Sequence, residues 1–126
     1  MNYRFSEQLD QVKLREFYDG DPILASAVFE AFLQEMATAL PNLELLFING
    51  TPEEFRRLVH KIRPGFLYVG LTSLYDQLDL IEKACIGLDV LLTIADQVNG
   101  MMMKLKVELP WVEAELAKMR LADLPD

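Results

Sequence analysis

Apolar residues recur every three or four positions along almost the whole chain, and no stretch alternates with the period of two that a half-buried strand requires. That spacing draws one apolar stripe on each of several helices, and such helices must bury their stripes against one another. Start and stop signals divide the pattern. Leu9 to Phe17 reads as a short amphipathic helix ending at Tyr18-Asp19-Gly20. Asp21 then stands as an N-cap before Pro22 at the first helical position. Leu24, Val28, Phe32, Met36, Leu40, Leu43 and Phe47 follow as the buried face of a long helix, which Pro41 is expected to kink or divide. Thr51-Pro52-Glu53-Glu54 is a capping box that opens a third helix, with Phe55, Val59, Ile62, Phe66 and Val69 inward and a stop at Gly70. Thr72 is expected to cap a fourth, with Leu74, Leu78, Ile81 and Cys85 inward. The last helix is expected to start near Leu88 and to bury Leu91, Ala95, Val98, Met102 and Leu105, until Pro110 bends or ends it before a helical piece from Trp111 to Met119.

The connections are short, so consecutive helices are expected to lie antiparallel. The expectation is an all-α, antiparallel up-and-down four-helix bundle with a short N-terminal helix, one domain over residues 1–126. With 52% of 126 residues apolar, a single core is feasible without metal or disulfide. Net charge is −8, from 20 acidic and 12 basic side chains, a field that repels nucleic acid and anionic membrane surfaces. Cys85 is the single cysteine and reads as a small buried hydrophobe. Met1 to Asp10 carries no apolar run of a secretory signal, and the stretch from Ala84 to Ala95, broken by Gly87 and Asp89, falls short of the roughly 20 residues of a membrane span. These features predict a cytoplasmic protein with no nucleic-acid partner and no membrane insertion; a monomer is expected, and the initial Met1 and compact ends favour a free-standing protein over an excised module.

The chemistry concentrates on one helix. His60, the only histidine, lies about 100° round the helix from the core position Val59. Its face is shared by Arg56, Arg57, Arg63, Pro64 and Leu67, and four of the 12 basic residues, Arg56, Arg57, Lys61 and Arg63, stand within about one turn of it. An imidazole nitrogen is a good nucleophile near neutral pH, and phosphoryl transfer needs positioning and charge neutralisation more than covalent groups from the protein. A guanidinium one turn away can offer paired donors to phosphoryl oxygens.

The segment His60-Lys61-Ile62-Arg63-Pro64-Gly65-Phe66, with Val69-Gly70-Leu71, Leu74 and Ile81-Glu82, resembles the signature of histidine-containing phosphotransfer (HPt) domains. That pattern is a histidine, an aliphatic residue two later, a basic residue three later, then small residues, a Gly-Leu or Gly-Ala turn and a second helix ending in Leu/Ile-Glu. The resemblance implies that His60 is a phospho-acceptor through the nitrogen distal to the backbone, with Arg63 in place of the family's usual lysine steadying the phosphoryl group. It implies a phosphorelay in which His60 takes the group from a receiver-domain aspartate and passes it to another receiver. The partners are then response-regulator receivers and a hybrid sensor histidine kinase. The metal ion belongs to the receiver, so no cofactor and no metal site is expected in this chain. Docking is expected to use Arg56, Arg57 and Lys61 together with an apolar patch at Pro64, Gly65, Phe66 and Leu67, and Glu82 is a candidate to reach His60 from the neighbouring helix. Two positions depart from the commonest pattern. Pro64 stands where glycine is usual, with glycine one place later, and Arg63 replaces lysine. Because Pro64 has no N–H, the His60 carbonyl loses its helical partner and a kink is expected there.

Other chemistries fit poorly. A bundle metalloenzyme needs Glu-x-x-His pairs, and the residue three before His60 is the cation Arg57. The chain has no glycine-rich nucleotide loop and no nucleophile elbow. Met101-Met102-Met103 reads as packing, and Trp111 as an aromatic pin. The competing expectation is a non-catalytic helical adaptor that binds a receiver or sensor kinase without carrying phosphate.

Overall fold

The computed structural model describes residues 3–86 and 94–122. The protein is all-α, with five helices among the described residues: α1 (Gln11–Tyr18), α2 (Pro22–Asn49), α3 (Pro52–Tyr68), α4 (Thr72–Ala84) and α5 (Ala95–Ala122). The four longer helices pack as an up-and-down bundle, α2 against α3 and α5, and α4 against α3 and α5, while α1 lies over α2 and α3. Buried side chains from all five helices join in one cluster. The expected start of the last helix near Leu88 and its inward Leu91 lie outside the described residues.

Two helix starts follow the expected chemistry. Asp21 accepts from the N–H groups of Ile23 and Leu24 with Pro22 at the first helical position. At α3 the box is reciprocal: Thr51 Oγ1 accepts from Glu54 N–H at 3.2 Å, and Glu54 Oε1 accepts from Thr51 N–H at 3.3 Å. Thr72 does not cap α4. It is the first helical residue after an N-cap at Leu71, and its hydroxyl donates instead to Asp10 Oδ2 at 2.7 Å. Asp10 is the reason. Its Oδ1 caps α1 by accepting from Lys13 N–H, and its own N–H donates to the Gly70 carbonyl at 2.9 Å, so Thr72 is drawn into a clamp across the α3–α4 turn. The Thr72 hydrogen bond is the main cause holding the Asp10 carboxyl below its ordinary value.

The turn itself is a Schellman motif. Gly70 has φ 78°, its N–H donates to the Leu67 carbonyl, and Leu71 N–H reaches back to the Phe66 carbonyl at 2.8 Å. Tyr18 reinforces it by donating its hydroxyl to the Tyr68 carbonyl at 2.6 Å, and burial pushes that phenol up to about 12.

All three helix-internal prolines are bridged. α2 runs through Pro41, α3 through Pro64 and α5 through Pro110 without ending. In each case both the proline and the residue four before it (Ala37, His60 and Lys106) are exposed. The carbonyl that loses its helical partner therefore faces water, which can replace the bond. Of the outcomes expected at Pro41 (kink or division) and at Pro110 (bend or end), division and ending do not occur.

The α2 stripe is rotated from the expected one. Ala25, Phe29, Phe32, Met36, Ala39 and Leu43 are buried, whereas Leu24 is 51% exposed and Val28, Leu40 and Phe47 are only half-buried. α2 is apolar on most of its circumference, so tertiary contacts choose the face. Phe29 packs with Phe5 and Tyr18, 6.4 and 6.5 Å between ring centroids, beneath α1 and the N-terminal segment. By length and composition alone α2 is, among the described residues, the one helix apolar enough to cross a membrane, while most of the stretch from Ala84 to Ala95 lies outside the described residues. Of the three consecutive methionines on α5, Met101 is the buried one, with Met102 half-buried and Met103 70% exposed. The N-terminal segment is tied to α5 through buried Glu115, which accepts from the Tyr3 hydroxyl and from Ser6 N–H.

Candidate functional site on the α3–α4 face

α3 buries Phe55, Val59, Ile62 and Phe66 without residual exposure, which fixes its rotation and turns His60 outward. The His60 side chain is 63% exposed. The turn at Gly70 folds α4 back antiparallel, bringing Asp79, Glu82 and Lys83 alongside. His60 and Glu82 both stand eleven residues from Leu71, and Arg63 and Asp79 both stand eight, so each pair lies at one level of the helical hairpin.

His60 Nδ1 lies 2.9 Å from Glu82 Oε1. A carboxylate only accepts, so Nδ1 is the nitrogen that carries the hydrogen toward Glu82, and in the neutral ring that tautomer leaves the lone pair on Nε2. Glu82 is 16% exposed, recessed behind the imidazole it orients. Among the described residues Nε2 has no hydrogen-bond partner. The ring therefore has one nitrogen committed and one free, and the free one is the nitrogen distal to the backbone. The two larger cavities, about 520 and 550 Å³, are lined chiefly by the N-terminal segment and a third of about 400 Å³ by α2 and α5, and none of them is lined by His60. The imidazole stands on open surface rather than inside one of these cavities.

The basic residues are less free than their number suggests. Arg56 donates from Nε and Nη2 to both oxygens of Glu53, at 2.9 and 2.7 Å, and Arg57 Nε donates to the same carboxylate at 3.2 Å. These bonds, Arg56 first, hold the Glu53 carboxyl down at about 2. Arg63 donates from Nη1 to Asp79 Oδ1 and lies with its guanidinium carbon 5.3 Å from the Tyr75 ring centroid. Lys83 Nζ donates to the other Asp79 oxygen at 2.8 Å, and with Arg63 it keeps the Asp79 carboxyl below its ordinary value, Lys83 being the larger cause. Lys61 is exposed and has no ion-pair partner among the described residues.

The apolar residues divide. Pro64 is exposed and Leu67 half-buried, beside His60 on the same helix. Phe66 is fully buried, edge-to-face on Phe32 with centroids 5.1 Å apart, so it cannot belong to a docking patch. Gly65 faces α2, where a Cβ would meet Phe32 Cδ1 at 2.9 Å. Its smallness is required by internal packing.

Sequence reasoning missed Asp79, Tyr75 and the pairing role of Glu53. Asp79 was within reach: it precedes Glu82 by three residues and therefore shares its face. Cys85 is buried, as its composition reading expects, and burial raises its thiol pKa. Among the described residues no three His, Cys, Asp or Glu side chains cluster as metal ligands. The chain matches no family model, no curated protein and no solved structure.

Proposed function

We propose that the chain is a histidine phosphotransfer protein of the HPt kind, in which His60 accepts a phosphoryl group from the aspartyl phosphate of a receiver domain and passes it to a second receiver. The observation that carries this reading is the exposed imidazole whose Nδ1–H is held by Glu82 while Nε2 is free. In the transfer, the Nε2 lone pair attacks phosphorus in line, the bond from phosphorus to the aspartyl oxygen breaks, and the receiver's carboxylate leaves with the electron pair. No proton has to be lost from His60. The product is a phosphoimidazolium that keeps its Nδ1 hydrogen on Glu82, where the ring's positive charge faces a carboxylate.

The receiver supplies the metal ion, so the chain needs to bring only a positioned nucleophile and a surface that fits. That surface is the exposed Pro64, Arg57 and Lys61 with the half-buried Leu67 beside His60. A hybrid sensor kinase and response regulators of the cytoplasm are the corresponding partners.

The test is transfer from a phosphorylated receiver, read as acid-labile, alkali-stable phosphate on the chain. His60→Gln is expected to abolish it, and Glu82→Ala to slow it about tenfold by releasing the ring to rotate and exchange tautomers. Wild-type protein that binds the receiver but acquires no phosphate would establish the adaptor reading instead.

A further inference from the structure

Arg63, the cation three residues after His60, is turned away from solvent. Its side chain is 19% exposed against 63% for His60. Of its five N–H donors, one is hydrogen-bonded among the described residues, Nη1 to Asp79. Its Nε is buried without a hydrogen-bond partner, and Glu82 Oε1 stands 3.9 Å away, with its bonding already directed to His60. The guanidinium is held in place yet under-satisfied, a condition that costs free energy until a better acceptor comes within reach.

Asp79 is in the opposite position. Both its oxygens are met, Oδ1 by Arg63 and Oδ2 by Lys83 at 2.8 Å. If Arg63 leaves, Lys83 remains and the carboxylate is not stranded. A phosphoryl group on His60 Nε2 would place three acceptor oxygens one helical turn from Arg63, matched to the guanidinium fork.

We propose that Asp79 is a positioning residue that competes with the phosphoryl group for Arg63, and so sets how long phosphate stays on His60. This inference rests on the phospho-acceptor reading and adds to it a restraint on the neighbouring cation. In the resting protein Arg63 is latched to Asp79 over Tyr75. On phosphorylation it exchanges one carboxylate oxygen for phosphoryl oxygens, while Lys83 holds Asp79. The sign of the effect follows from the reaction. A loose transition state leaves less charge on the phosphoryl oxygens than the ground state has, so a cation on those oxygens slows spontaneous loss. Weakening the latch lengthens the phosphohistidine lifetime, and strengthening it shortens that lifetime.

The experiment uses the full chain and phosphoramidate, which needs no receiver. Nε2 attacks its phosphorus, the P–N bond breaks, and ammonia leaves. The half-life of the phosphate on His60 is then followed in wild type, Asp79→Asn, Arg63→Gln, the double variant and Lys83→Gln. Asp79→Asn is expected to lengthen the half-life about fivefold, the factor of one partly exposed charge pair. Arg63→Gln is expected to shorten it and to abolish the effect of Asp79→Asn. Lys83 is 70% exposed, so Lys83→Gln leaves packing intact. It is expected to shorten the half-life, because Asp79 then holds Arg63 alone.

An unchanged half-life in Asp79→Asn, or an equal lengthening in the Arg63→Gln background, overturns the latch. Phosphorylation by phosphoramidate with the expected half-lives, but none by any receiver, overturns the relay reading and leaves the latch standing. A wild-type chain that phosphoramidate cannot phosphorylate overturns both.

Discussion

Replacing Gly65 by alanine separates two reasons for a small residue next to His60: room for a partner, or room for Phe32. The added Cβ would sit 2.9 Å from Phe32 Cδ1 and 3.4 Å from Cε1. Those atoms belong to a ring that is 4% exposed and packed edge-to-face on Phe66, so it cannot swing into solvent. Inserting a methyl into a filled core costs about 1–3 kcal/mol. Alanine in place of glycine within a helix returns about 1 kcal/mol. The balance is a loss of roughly 1 kcal/mol. Gly100 in α5 is the internal control, because a Cβ there meets nothing within 4 Å among the described residues. Gly100→Ala is expected to gain about 1 kcal/mol from helix propensity alone. The same substitution in two helices thus moves stability in opposite directions, separating the melting temperatures of the two variants by roughly 8 °C in a chain of this size. Urea unfolding followed by far-UV circular dichroism measures both, and Phe32→Leu combined with Gly65→Ala is expected to recover part of the loss. A Gly65→Ala protein stabilised as much as Gly100→Ala would refute the packing argument and return Gly65 to the docking surface.

Thr51→Ala removes one half of the α3 capping box and is expected to cost about 1 kcal/mol, with Thr51→Ser retaining most of the stability in the same urea titration. Burial raises the Glu108 carboxyl above its ordinary value of 4.5, with Lys104 offsetting only part. Because the folded value exceeds the unfolded one, stability is full below 4.5 and falls as pH rises through the folded value. Glu108→Gln is therefore expected to raise the melting temperature at pH 8 and leave it unchanged near pH 4, and an equal effect at both would contradict the burial argument. Glu53 has the reverse sign. With its folded value near 2, held there by Arg56 and Arg57, its contribution is present above 4.5 and disappears as pH falls toward 2. Glu53→Gln is expected to flatten that acid limb of the melting curve.

The helix order and most boundaries were legible because local chemistry sets them: the Asp21-Pro22 and Thr51-to-Glu54 starts, the stop at Gly70, and the strongly one-sided stripe of α3. Where apolar residues surround a helix, periodicity has no preferred direction, and α2 took its rotation from Phe5 and Tyr18, which belong to other segments. At Pro41 and Pro110 the sequence left open whether the helix bends or stops, because the cost of a lost hydrogen bond depends on whether the orphaned carbonyl meets water, a tertiary fact. At the site, His60 and Glu82 were visible in the pattern, whereas the arginines were counted as free charge. Glu53 lay in plain sight in the first turn of α3, next to the capping Glu54, but its bond to Arg56 is a matter of side-chain geometry. Asp79 emerges only when the hairpin is folded about Leu71 and residues at equal distance from it are read across.

The tight turn at Gly70 is also a fulcrum. His60 and Glu82 sit eleven residues out on the two arms, which is about 16 Å at the helical rise. Opening the angle between α3 and α4 by only about 5° would separate them by a further 1.4 Å or so, enough to break a hydrogen bond. Whatever tilts α4 is thus amplified at the imidazole, and the bonds from Asp10 and Tyr18 that brace the turn guard the alignment of a pair they never touch. Substitutions that shorten or loosen the N-terminal segment would then register first as misalignment at His60, before the bundle itself loses its cohesion.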